Sequence, residues 1–174
     1  MNKLIIITLI SLSTALSAFA ETRWETYLEN PTPKNAASVE AIEYTPGKIP
    51  ENYGYWAPDL IILQNQILGG DIEAFRLAYR LREKAQGGLL EELTILLSRA
   101  IRPRPEFFLK EMSVLQPKRE ALKDVLLMPG EEYVDRLTAK KYETKMRLKA
   151  LTSVNDKKLT DMRNKCLEIL KQGM

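Results

Sequence analysis

An all-α fold follows from three features of the 174-residue sequence. Apolar residues recur at three- and four-residue spacing between the breaks set by nine prolines and eight glycines. No stretch alternates apolar with polar in the manner of a strand, and no Asn-Gly or Asp-Gly hairpin turn occurs. The apolar share of 45% beside 28% charged residues is that of a globular chain, which excludes wholesale disorder.

The chain opens with Lys3, an apolar run from Leu4 to Ile10 broken only by Thr8, and an Ala18-Phe19-Ala20 ending before acidic Glu21. Charge, apolar run and small residues in that order predict a secretory signal peptide over 1–20, cleaved after Ala20. The rival is a retained anchor, but the run from Leu4 to Ala20, with its several Ser and Thr, is short against the roughly 20 residues of a spanning helix. No transmembrane segment is expected after cleavage, and the expected location is periplasmic or secreted. Residues 21–174 then form a single all-α domain, long enough to bury a core without disulfide staples.

Helices are expected at 22–29 and 34–43, then after a long loop at 58–68, 71–85 and 89–101. Others follow at 105–115, 118–127 and 131–152, and the last covers 156–172. Gly69 and Gly70 end one helix, and Asp71 is placed to cap the next. Pro105 sits where a first-turn proline is tolerated, and Asn155 or Asp156 can cap the final helix. The helix after Gly88 carries Leu89, Leu90, Leu93, Ile95, Leu96, Leu97, Ala100 and Ile101, apolar nearly all round, so it belongs at the centre with Leu93 and Leu97 in the core.

Helix pairs begin near Pro58, Gly88 and Lys118, a 30-residue step that falls in the range of stacked helical repeats. Residues 70–81, GDIEAFRLAYRL, resemble the second helix of a HEAT-type repeat over 58–115: Asp71 caps, Arg76 sits mid-helix, and Ala and Leu pack inward. That resemblance implies stacked antiparallel helix pairs in a short HEAT-like α-solenoid; a compact helical bundle shares the same spacing.

Composition removes whole classes of chemistry. With no His there is no Ser-His-Asp triad, Cys-His pair or His-bearing zinc site. The lone Cys166 has no disulfide partner within the chain, and its neighbours at helical spacing, Leu159, Met162, Ile169 and Leu170, point to a buried thiol rather than a reactive one. Glu91 and Glu92 are adjacent and do not face each other on a helix, while Glu131 and Glu132 suit a helix start. No Gly-rich phosphate loop, EF-hand pattern or zinc spacing occurs. No enzyme, cofactor or metal site is therefore expected.

Charge is unevenly divided. Residues 21–98 hold 7 basic and 12 acidic side chains, a net of −5, whereas 99–174 hold 18 and 11, a net of +7. A basic C-terminal half, its helices covering 131–174, suggests an anionic envelope polymer or membrane surface as partner. On the long helix, however, Arg136, Lys140 and Arg147 fall on one side and Lys141, Lys145 and Lys149 on another. They flank Ala139, Tyr142, Met146 and Ala150, which reads as a solvated helix docked by one apolar face. No nucleic-acid-binding module is present, so nucleic acid is not an expected partner.

Two groups remain as candidate partner-binding residues. Arg99, Arg102 and Arg104 cluster at a helix end and loop, where they suit an anion or carboxylate contact; the alternative is that Arg99 and Arg102 satisfy the last carbonyls of the preceding helix. The 43–58 segment, rich in Pro and aromatics, carries Tyr53, Tyr55 and Trp56, residue types that anchor protein interfaces or cover the end of a helical stack. The sequence thus predicts a non-enzymatic envelope protein that binds another protein, in the manner of an inhibitor or immunity protein. The alternative is a binder of anionic polymer or membrane surface through the basic half.

Overall fold

Among the residues that the computed structural model describes (23–40, 58–130, 133 and 135–174), nine α-helices follow one another and no strand occurs. They are α1 Arg23–Glu29, α2 Pro33–Ser38, α3 Pro58–Gly69, α4 Ile72–Lys84 and α5 Gly87–Ser98, then α6 Pro105–Leu115, α7 Arg119–Leu127, α8 Leu137–Thr152 and α9 Thr160–Gln172. The all-α expectation holds. The expected leader over 1–20 and the aromatic segment with Tyr53, Tyr55 and Trp56 lie outside the described residues.

Local signals set the helix ends. Thr32 caps α2, its hydroxyl accepting from the Asn35 N–H, and Pro33 takes the first helical position. Gly70 ends α3 at φ +94°, and Asp71 Oδ1 then accepts the Glu73 and Ala74 N–H groups at 2.9 and 3.0 Å to start α4. Pro105 opens α6, which closes on Gln116 in the left-handed region. Asp156 caps a 3-10 turn, Lys157–Leu159, that leads into α9. Two expected boundaries move. The second helix stops at Ser38, with Val39 already extended. The long helix, expected from 131, begins at Leu137; Glu131 and Glu132 lie outside the described residues.

Packing arranges most of these helices in two rows. Along one, α3 packs on α5 and α5 on α7; along the other, α4 packs on α6 and α6 on α8. α4 also packs on α3 and α5, which joins the rows. α1 and α2 close one end, with α2 against α4, and α9 closes the other against α6, α7 and α8. A single cluster of buried side chains runs through the stack from Trp24 to Leu170. Leu93, Leu96 and Leu97 of α5 are fully buried in it, each stabilising by about 1.5–3 kcal/mol. Phe75 of α4 meets Phe107 and Phe108 of α6 edge-on, at centroid separations of 5.3 and 6.2 Å. Cys166 is buried among Leu159, Met162, Ile169 and Leu170, as its spacing predicts.

Arginines brace the helices to one another. Arg76 joins α4 to Glu111 of α6 at 2.8 Å, and Arg80 reaches back to the Ala36 carbonyl of α2 at 3.0 Å. Arg82, itself buried, donates to Thr94 Oγ1 of α5 at 2.9 Å and to Asp124 Oδ2 of α7 at 3.0 Å. Arg119 of α7 reaches Glu168 of α9 at 2.9 Å. No helix among the described residues is long and apolar enough to cross a membrane.

Candidate binding cleft

The three candidate arginines leave the end of α5 in different directions. α5 stops at Ser98, and residues 99–103 turn tightly, with the Ile101 amide donating to the Ser98 carbonyl at 3.1 Å and the Arg104 amide to the Ala100 carbonyl at 3.0 Å. Pro103 and Pro105 then forbid a continuing helix ladder and start α6 afresh. From this turn the Arg99 Nη1 donates to Gln64 Oε1 of α3 at 2.9 Å, and the Arg102 Nη1 donates to Glu143 Oε2 of α8 at 2.7 Å. Arg104 donates to the Leu68 carbonyl at the end of α3. Arg104 thus satisfies a carbonyl in the last turn of α3. Arg99 and Arg102 take side-chain partners on other helices.

Arg99 and Arg102 meet at a cleft of about 600 Å³ between this turn and α8. Its volume falls within the range of small-molecule and peptide sites. Arg104 faces a neighbouring groove with Glu106, Phe107 and Lys110 instead. The far wall of the cleft comes from α8, through Glu143, Met146, Arg147, Lys149 and Ala150, and Tyr133 closes it from the chain before α8.

Arg147 is the anchor of this arrangement. The residue is only 3% exposed, and its side chain donates to the Leu126 and Met128 carbonyls at 3.0 and 2.8 Å. Those carbonyls end α7, where the helix has no further amides of its own to offer. Arg147 Nε also donates to Glu143 Oε1 at 3.0 Å, one turn away on α8. Burial pulls the Arg147 guanidinium below its ordinary pKa, and the hydrogen bond to Glu143 pulls it back.

Glu143 therefore accepts from two guanidiniums, Arg147 in the interior and Arg102 at the rim. The Arg102 side chain is 41% exposed, so part of its fork faces solvent. Lys149 stands exposed on the same wall and has no ion-pair partner among the described residues. Below them lies an apolar bed of Met146, Ala150 and Pro103.

Among the described residues Glu143 is the one carboxylate of the wall, and both its oxygens are occupied as acceptors. The rim offers charged N–H donors over apolar surface, which suits a carboxylate carried on an apolar body. Among the described residues no group of His, Cys, Asp or Glu converges as metal ligands would. The sequence spacing singles out Arg99 and Arg102 but not Glu143, Arg147 or Lys149. Glu143 and Arg147 stand at i and i+4, a legible helical ion pair, yet nothing in the spacing says that this face is the buried one.

α8 differs from expectation in a second way. The expected docked strip, Ala139, Tyr142, Met146 and Ala150, is half-buried at best, and Tyr142 is exposed. The helix docks through Glu143, Thr144, Arg147 and Leu151. No protein-family model, curated protein or solved structure matches this chain.

Proposed function

We propose that this protein is a non-enzymatic helical scaffold of the cell envelope that binds another protein, in the manner of an inhibitor or immunity protein. The cleft between the 99–103 turn and α8 is its contact site. The observation that carries the reading is the chain of charge from buried Arg147 through Glu143 to Arg102, which holds a guanidinium at the rim beside Lys149. Side chains fixed in this way lose little entropy on binding, so their hydrogen bonds count more fully toward affinity. The two rows of helices support a short HEAT-like solenoid, an architecture that presents side chains along a rigid surface. The leader over 1–20 supports the envelope location.

Capture from an envelope fraction by the immobilised full chain, followed by titration of the captured protein, tests this. Arg102→Gln with Lys149→Gln should weaken that complex about tenfold or more, while the thermal midpoint of the scaffold barely moves. An affinity unchanged by the double substitution would remove the cleft from the interface. Tyr53→Ala with Tyr55→Ala, in the same titration, measures the share of the aromatic segment.

The second reading, an anionic polymer or membrane surface met by the basic half, draws on a different observation: the outward face of α8.

A further inference from the structure

We infer that the outward face of α8 is a docking surface for an anionic lipid bilayer. The inference rests on the second reading above; it shares only Lys149 with the cleft, and its test substitutes Lys141 and Lys145 instead. Because α8 buries Glu143, Thr144, Arg147 and Leu151, the opposite side of the helix faces solvent. Lys141, Lys145 and Lys149 fall there at i, i+4 and i+8, a step of about 6 Å along the axis. All three are exposed, and none has an ion-pair partner among the described residues. The single acid within α8, Glu143, points the other way, into its two guanidiniums. Like charges four apart on a helix repel, so this row costs the free protein stability and gains from a negative surface.

Charge alone would suit any polyanion. Two apolar side chains decide between a polymer and a bilayer. Leu137 is 75% exposed and Tyr142 59% exposed, and both line a shallow hollow at the start of α8 with Thr138 and Ala139. A soluble polymer offers them no apolar phase. A bilayer offers both parts, phosphate oxygens for the lysines and acyl carbon for the leucine, with the tyrosine ring at the boundary. Exposed Arg136 and Lys140 flank the same end and extend the positive rim, and Asp135 is the acid beside it.

The test is sedimentation of the full chain with phosphatidylcholine vesicles, with and without phosphatidylglycerol. The readout is the gain in partition on adding the anionic lipid. We expect a clear gain that falls as salt is raised to about 0.5 M. Lys141→Gln with Lys145→Gln should cut it by roughly tenfold or more. Leu137→Ser with Tyr142→Ser should cut it severalfold, while leaving retention on immobilised polyglutamate unchanged. All four positions are exposed, and circular dichroism checks that the variants fold. Arg102→Gln should leave the vesicle gain intact, which separates failure here from failure of the cleft. No gain with phosphatidylglycerol, or a gain indifferent to the lysine pair, overturns the inference. A gain indifferent to the Leu137 and Tyr142 pair overturns it too, in favour of a polymer.

Discussion

Arg147 performs from a distance the task that a capping residue usually performs locally. α7 ends with carbonyls that lack intrahelical partners, and a side chain from α8, nearly twenty residues later, supplies the donors. Arg147→Met removes those donors and leaves Glu143, itself buried, with Arg102 alone. We expect a loss of about 3–5 kcal/mol in urea unfolding, the usual cost of breaking a buried ion pair on one side. Arg102→Gln, at the exposed end of the same chain of charge, should cost about 1 kcal/mol or less. If the two variants unfold alike, Arg147 is not the anchor. Of this network the sequence displays only the i, i+4 spacing of Glu143 and Arg147. Its partners at the end of α7 and in the 99–103 turn depend on tertiary packing, which spacing does not encode.

Helix boundaries were legible where a backbone-specific residue marks them. Gly70, Asp71 and Pro105 act at their expected places because positive φ, N-terminal capping and a missing N–H are local properties. Gly70 carries a second constraint, since a Cβ there would lie 2.9 Å from Arg104 Nη1. Gly70→Ala should destabilise by about 1 kcal/mol or more through its left-handed backbone alone, and should also disturb the bond from Arg104 to the Leu68 carbonyl. An unchanged thermal midpoint would contradict this. α8 shows where such reading fails. Ala139, Tyr142, Met146 and Ala150 form a plausible apolar strip, yet hydrogen bonding of Glu143 and Arg147 outweighs their modest apolar area. A polar face that is fully paired can dock, and hydropathy does not reveal the pairing.

The whole stack reports through Cys166, which sits in the shared core where α9 meets the ends of α6, α7 and α8. Burial pushes its thiol up to about 12, and raises the Tyr27 phenol of α1 at the opposite end. In the unfolded chain a thiol ionises near about pH 8.5. The stabilisation from keeping it neutral is therefore complete below that value and is lost as pH climbs toward 12, at up to about 1.4 kcal/mol per unit. Stability should fall above about pH 9, and Cys166→Ala should flatten that fall; parallel curves for the two proteins would contradict it. At pH 8 the native thiol should react with a disulfide reagent only as fast as the molecule opens. The all-α class and the central place of α5 were readable here because both follow from apolar periodicity. The two rows were not, since they follow from which helices touch.

The arginine braces have a consequence for how this molecule can change. Arg76, Arg80, Arg82, Arg119 and Arg147 spend their charge between helices, whereas Lys141, Lys145 and Lys149 have no ion-pair partner among the described residues. Two cationic residue types therefore serve two separate purposes in one chain. A lysine of the α8 row can be exchanged for a neutral or acidic residue at little cost to folding. An exchange at an arginine brace loosens the architecture itself. What the protein displays to its surroundings is thereby free to drift, while the frame that displays it is not.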